Sequence, residues 1–225
     1  MPMHIKQRSQ VTAIDLDITT AAIAKQLFPE SNVQNMPYQK SKTPDNFYDL
    51  VISNVPFSND VKIADRRYNQ FNPNLHDYYF LKMLDQVRPG GIVMAITSSG
   101  TMDKQSEVIR REMGKQSELI TSIRLPAGAF KDFAGTNVVT DIIVLRKRTE
   151  PLTMTPDADW IGLSEVKTST KPVKVNSFYA NNLRNVLGTI DYKGGDPRFA
   201  GMTVLSNGEA WLKKELSQLS DLVSE

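Results

Sequence analysis

The chain has 225 residues, 40% apolar and 23% charged, with 27 Lys and Arg against 25 Asp and Glu. That composition suits one large globular domain, or one domain with a small appendage, and a net charge of +2 is not that of a bulk polyanion binder. There is no cysteine, so disulfide frameworks and thiolate chemistry are excluded, and with two histidines, His4 and His76, a histidine-rich metal site is not expected.

No apolar run approaches the ~20 residues of a membrane helix, and Met1 to Lys6 lacks the apolar centre of a secretory signal. A cytoplasmic protein without a membrane or metal partner is the expectation. Val11 to Asp15 reads as a short buried strand ending in an acid. Thr19 or Thr20 is placed to cap a helix carrying Ala22, Ile23 and Leu27, and Pro29 stops it. A loop with Val33, Pro37 and Tyr38 leads to a second strand, Phe47 to Asn54, which runs into Val55, Pro56 and Phe57. Residues 58–74 are polar and long for a plain connection, and such loops often carry function. A helix is expected near 75–87, ended by Arg88-Pro89-Gly90-Gly91 as a stop and turn.

Ile92 to Thr97 is a continuous apolar strand, the kind covered on both faces of a parallel sheet. A helix over 106–119 and strands over 120–125 and 138–145 follow. Alternating strands and helices predict a parallel α/β sheet. The last two strands have no helix between them, which allows an antiparallel hairpin at one edge. Past Arg146-Lys147-Arg148 the composition turns more polar, placing a boundary near residue 150. The extension, 151–225, ends in an expected helix over 208–223 with Trp211, Leu212, Leu216 and Leu219 at helical spacing. Trp160 and Trp211 read as packing residues.

The informative stretch is Asn54-Val55-Pro56-Phe57 at the carboxyl end of an apolar strand, the edge where open α/β sheets bind ligands. An amide oxygen and a neighbouring backbone carbonyl can both accept hydrogen bonds from one exocyclic amine. Proline stiffens the turn, and the aromatic ring offers a stacking face worth ~1–3 kcal/mol to a planar base.

This tetrapeptide resembles the Asn-Pro-Pro-Tyr/Phe motif of the DNA methyltransferases that act on adenine N6. Val55 stands where the family has its first proline; it supplies the same backbone carbonyl, with a less rigid turn expected. Ala13 to Asp17 and the helix after it resemble the family's second strand and helix. Leu75-His76-Asp77-Tyr78-Tyr79-Phe80-Leu81, Arg88-Pro89-Gly90-Gly91, Thr97 to Asp103, Arg124-Leu125-Pro126, Ala134 to Asp141 and Asn182 to Gly188 also match in order. The series resembles the methylase region of very large methylase–helicase proteins of phages, plasmids and integrative elements. It implies a Rossmann-like class I methyltransferase sheet, S-adenosylmethionine as cofactor, and DNA with a flipped adenine as substrate. On this resemblance Asn54, Val55, Pro56 and Phe57 are catalytic. Asp15 holds the cofactor's ribose, with Asp17 the second candidate, and Tyr38 and Gln39 stand where the family contacts the cofactor's adenine.

Each assignment has a plainer counterpart. Asn54 to Phe57 could be an ordinary strand-to-loop turn. Asp15 or Asp17 could cap a helix, Asp17 being the better placed, and Tyr38-Gln39 could be surface loop. His76-Asp77 reads as the first turn of a helix rather than a catalytic pair. Arg66 and Arg67 are candidates for DNA contact; Arg146 to Arg148 suit a charged strand end better than phosphate binding.

One family feature is missing. Only fourteen residues precede Asp15, none is glycine, and no Gly-x-Gly occurs in the chain. The family has a glycine-rich turn there, after a first strand in mid-sheet, that lets the backbone approach the cofactor's methionine end. Without that strand, unpaired edges are expected on both sides of the gap. The core, 1–150, is therefore expected to be amino-terminally truncated. It is either a fragment, or completed by an upstream polypeptide or helicase region, or a reduced domain. The alternative function is a degenerate module that binds DNA or a partner in a phage or plasmid anti-restriction system. A weaker third reading is an RNA or protein methyltransferase.

Overall fold

The computed structural model describes residues 9–57, 63–130, 137–195, 200–208, 211, 212, 214 and 215. The chain divides into two compact units, Met1–Pro44 with Ala64–Arg66, and Asp45–Ile63 with Arg67–Glu225. Among the described residues no helix is long and apolar enough to cross a membrane.

The first unit is a β–α–β arrangement. Strand β1 (Thr12–Asp15) pairs in parallel with β2 (Asn32–Asn35), and helix α1 (Ile18–Leu27) connects them. Helix α1 is capped by Asp17, whose carboxylate accepts the Thr20 N–H at 2.6 Å, and not by Thr19 or Thr20. The threonines lie inside the first turn, whereas Asp17 has the extended backbone a cap needs. β2 falls where a loop was expected. Asn-Val-Gln-Asn has no apolar run, and the strand forms because its backbone completes the ladder with β1. Ala21 is the buried residue of α1, while Leu16, Ile18, Ile23 and Leu27 stay exposed.

The second unit holds a four-stranded sheet in the order β3-β4-β6-β5: β3 (Tyr48–Asn54), β4 (Val87–Ser98), β5 (Ser117–Leu125) and β6 (Thr140–Lys147). β3 and β4 are parallel, and β6 runs antiparallel to both β4 and β5. The expected hairpin sits at one edge, with its antiparallel strand inserted next to β4 and β5 outermost.

Helix α2 (Leu75–Gln86) starts at a capping box in which the Asn74 side chain accepts the Asp77 N–H and the Asp77 carboxylate accepts the Asn74 N–H. It is buried nearly all round. Arg88-Pro89-Gly90-Gly91 does not separate helix from strand. It is a bulge within β4: Tyr48 pairs with Val87 and Leu50 already pairs with Ile92. Gly90 adopts φ +75°, and a Cβ on Gly91 would lie 2.6 Å from Val87 Cγ2 and 2.9 Å from the Asp49 carbonyl. Short α3 (Gly100–Asp103) and α4 (Val108–Gln116) carry the chain on to β5.

β4 also departs from the expectation of burial on both faces. Val93, Ala95 and Thr97 are buried, but Ile92 and Ile96 on the other face are half-buried and Met94 is exposed. Next to Met94 in register is Ile52, 59% exposed, and next to Ile92 is Leu50, 38% exposed. The helices of this unit cover one face, while on the other Leu50, Ile52 and Met94 keep a third or more of their surface exposed.

Beyond Arg148 the chain packs onto the sheet within the same unit. Hairpins β7 (Leu163–Val166) with β8 (Val173–Asn176), and β9 (Thr189–Lys193) with β10 (Gly201–Leu205), flank α5 (Ser177–Asn181). Leu187 N–H donates to the Arg124 carbonyl, and Ala127 N–H to that of Val204. Trp160 is buried, and Trp211 and Leu212 pack on Ile123, Leu125 and Leu187. Residues 211, 212, 214 and 215 of the expected terminal helix are helical; most of the remainder lies outside the described residues.

Arg124 is fully buried. It makes two 2.8 Å bonds to Asp141 and one to Asp103, and lies 4.0 Å over the Tyr179 ring. Burial opposes the charge, but Asp141 and Asp103 outweigh it and hold the guanidinium pKa well above its usual value.

This packing sets the cost of single substitutions. Gly91→Ala should lose about 1–3 kcal/mol in urea titration, because the methyl group meets backbone on both sides. Asp141→Ala should lose about 3–5 kcal/mol by leaving a buried cation underpaired, whereas Arg111→Ala, which removes an exposed pair with Glu107, should stay within about 1 kcal/mol.

Candidate active site

β3 ends at Asn54, whose side chain is exposed at the carboxyl end of the parallel pair. Val55 turns inward, 1% exposed, and its N–H donates to the Ile96 carbonyl at 2.9 Å. A proline at this position would have no N–H to give. The valine thus extends the β3–β4 ladder by one hydrogen bond, which offsets the rigidity expected to be lost. Pro56 and Phe57 then stand outward, and Phe57 keeps 37% of its surface exposed.

Behind Phe57 is His76, the second residue of α2, with ring centroids 6.0 Å apart and planes at 76°. His76 is buried, and its Nδ1 lies 3.1 Å from the Ser98 hydroxyl at the end of β4. Burial pushes its pKa below the usual imidazole value, and Lys104 adds to that. Asp77 and the Pro56 carbonyl act in the opposite sense. Asp77 closes the α2 cap and holds Lys104 at 2.7 Å. His76-Asp77 is a helix start, as expected, with the imidazole packed beneath the tetrapeptide.

In the first unit, Asp15 ends β1 half-buried, its carboxylate accepting the Asp17 N–H at 2.8 Å. Asn35 ends β2 and donates to the carbonyls of Asp15 and Leu16, both at 3.0 Å. Met36 N–H also donates to the Asp15 carbonyl, and two residues later Tyr38 and Gln39 form a half-buried 3-10 turn. Asp15, Tyr38 and Gln39 therefore share one end of the two strands. Asp17 is exposed and serves α1, its carboxylate held below the usual pKa range by the Thr20 N–H. Asn35 was not singled out in the sequence, where a polar residue in a segment without apolar pattern gives no signal.

The arginines of the long loop part company. Arg66 is exposed in the first unit. Arg67 pairs with Asp45 and Asp85 at 2.8 and 3.1 Å. Those residues flank the amino ends of β3 and β4, so the structure does not bring Arg67 to the Asn54 end. It belongs to a latch in which Tyr68 donates to Asp85 and Lys147 Nζ donates to Asn46 and to the Asp85 and Val87 carbonyls.

Residues 18–207 match the family described as N-6 DNA methylase. The chain belongs to that family. It is 30% identical over 142 residues to the defense against restriction protein B of Escherichia phage P1, a stretch covering 61% of this chain and 6% of the phage protein. The M protein of the type I restriction enzyme EcoKI superposes with a TM-score of 0.54 at 11% identity, over 95% of this chain and 58% of that one. The likeness is one of fold, a Rossmann-like methyltransferase sheet. The chain spans a small part of the phage relative and just over half of the M protein.

Family membership implies S-adenosylmethionine as methyl donor, and the residues present fit one half of it. Asp15, fixed by the β1 and β2 ends, presents a carboxylate suited to ribose hydroxyls, with Tyr38 and Gln39 at the same end. For the methionine end the family relies on close backbone approach at a glycine-rich turn, and this chain contains no Gly-x-Gly.

His76 gives the site a pH signature. Its folded pKa is lowered from 6.5, so the unfolded chain binds the proton more tightly. Stability from this group is fully present above pH 6.5 and falls as pH drops through the lowered value. Denaturant titrations from pH 7.5 to 5 should show wild-type losing more stability than His76→Gln over that range; parallel curves would contradict the assignment.

Proposed function

We propose that this chain is the methyltransferase part of a larger protein or assembly that methylates N6 of adenine in DNA. The observation that carries this reading is the Asn54-Val55-Pro56-Phe57 turn. It has an exposed amide, a valine bonded into the sheet, and a half-open aromatic ring at the carboxyl end of a parallel strand.

The amine of adenine is a poor nucleophile because its lone pair is delocalised into the ring. Asn54 Oδ1 and the Val55 carbonyl accept its two hydrogens and draw the nitrogen toward tetrahedral geometry, which localises the pair. Phe57 receives the base out of the duplex stack. S-adenosylmethionine, when bound, supplies a methyl group on a sulfonium. The amine would take that methyl group, leaving the cofactor's sulfur as a thioether, and would give up one proton to solvent. Asp15, at the strand ends of the first unit, would hold the ribose hydroxyls of that cofactor.

The methionine end and the open face of the sheet are completed, in this proposal, by polypeptide preceding the matched region. Such a segment would add a strand along β3 and lay a helix over Leu50, Ile52 and Met94. A second reading, a degenerate module that binds DNA or a partner without catalysis, is favoured by the same missing glycine turn. Cofactor binding by the completed protein separates the two.

The test joins this chain to the segment that precedes the matched region in the phage P1 protein. N6-methyldeoxyadenosine in digested DNA is then measured by mass spectrometry. Activity is expected in the joined protein, with Asn54→Ala lowering turnover about 100-fold and Phe57→Ala about 10–100-fold through lost stacking, both without loss of melting temperature. A methylated base other than adenine, or full activity in Asn54→Ala, would overturn these roles. Calorimetry showing no S-adenosylmethionine binding by the folded, joined protein would favour the degenerate reading.

A further inference from the structure

His76 is a buried imidazole for which the proposed methyl transfer has no general-base use. Of its two nitrogens, Nδ1 has the Ser98 hydroxyl at 3.1 Å, and Nε2 is buried with no hydrogen-bond partner among the described residues. The ring meets Phe57 edge to face at 6.0 Å. The Pro56 carbonyl acts on the ring as a hydrogen-bond acceptor does, although no formed bond to Nε2 is present. A buried, unpartnered donor normally costs about 1–3 kcal/mol, and polar contacts at active sites are often long before substrate binds and shorten afterwards.

We propose that His76 is a positioning residue. Ser98 donates to Nδ1 and so fixes the proton on Nε2. The Nε2–H is thereby left for the Pro56 carbonyl, and the imidazole, edge to face with Phe57, supports that ring for stacking against a base. The inference rests on the reading of Asn54 to Phe57 as a base-binding turn. What it adds is that the turn is held from beneath by the first residues of α2 and the last of β4. Ser98 sets the tautomer because the second nitrogen of an imidazole follows the bond made by the first. Asp77 and Lys104 are the charged groups facing the ring, and they act in opposite directions on its protonation, so the neutral form is kept by burial.

Two measurements on the full chain test this without any methylation assay. The chain has two histidines, so the imidazole signals missing from His76→Gln in a long-range nitrogen–proton spectrum identify His76. A neutral ring protonated on Nε2 at pH 7 is expected; a proton on Nδ1 would overturn the proposal, because Nε2 then has nothing to donate. With carbon-13 phenylalanine, the Phe57 ring signals, assigned by their loss in Phe57→Leu, should move to averaged positions in His76→Phe. They should stay in place in His76→Gln, whose amide N–H can reach the same carbonyl. Unmoved Phe57 signals in a folded His76→Phe would sink the supporting role. Should His76→Phe fail to fold, the wild-type tautomer still decides.

Discussion

A guanidinium without solvent must be surrounded by its own counter-charges, and Arg124 imposes that condition on several separate stretches of the second unit. Asp141 comes from the antiparallel strand β6, Asp103 from the turn after β4, and Tyr179 from the segment beyond residue 150. Asp103 also accepts the Asn176 N–H at 2.8 Å, while Asn176 donates to the carbonyls of Met102 and Trp160. Tyr179 shares a hydroxyl contact with Ser122 on β5. Desolvation makes each of these groups costly alone, so the β5–β6 hairpin, α3 and the β8–α5 turn are stable in one another's company.

The candidate site hangs from the same framework. Asp103 ends α3, and the next residue, Lys104, reaches back to Asp77 in the first turn of α2. That cap fixes the start of α2, where His76 lies beneath Phe57. On the other side β4 supplies the Ile96 carbonyl to Val55 and the Ser98 hydroxyl to His76. If the turn converges two acceptors on one amine, as proposed, it needs support within fractions of an ångström. That support comes from a strand ladder on one side and a capped helix on the other. Valine in place of proline fits this arrangement, because it exchanges a fixed φ angle for a hydrogen bond.

What could be read in the sequence was what local chemistry encodes. Phe47 to Asn54 is apolar enough to be a strand, Asn54-Val55-Pro56-Phe57 is distinctive as a motif, and His76-Asp77 reads as the first turn of a helix. β2 could not be read, because Asn-Val-Gln-Asn becomes a strand by pairing with β1 and not by its own pattern. Arg88 to Gly91 has the composition of a turn, yet it sits in a bulge whose need for Gly91 arises from the Asp49 carbonyl, distant in sequence. Arg67 was read from its neighbours in a polar loop; its partners Asp45 and Asp85 are fixed by tertiary structure. The pairing of Arg124 with Asp141 was equally invisible, since nothing local tells a buried arginine from a surface one.

The apolar run of β4 was legible, and its partial exposure is the informative mismatch. Ile92 to Ile96 has the pattern of a strand covered on both sides, but Leu50, Ile52 and Met94 meet solvent on one. Fully covering each would gain about 1.5–3 kcal/mol relative to full exposure, and somewhat less in this sheet because all three are partly covered already. A parallel strand beside β3 would meet this need and place a helix over the face, as crossover connections in such sheets do. Because it runs parallel to β3, it would also end at the Asn54 end of the sheet. In the proposed reading, the turn after it would supply backbone for the methionine half of the cofactor. If the chain is the methyltransferase part of a larger protein, the uncovered apolar face and the incomplete cofactor site are therefore one deficit, and a single strand–turn–helix segment would remove both.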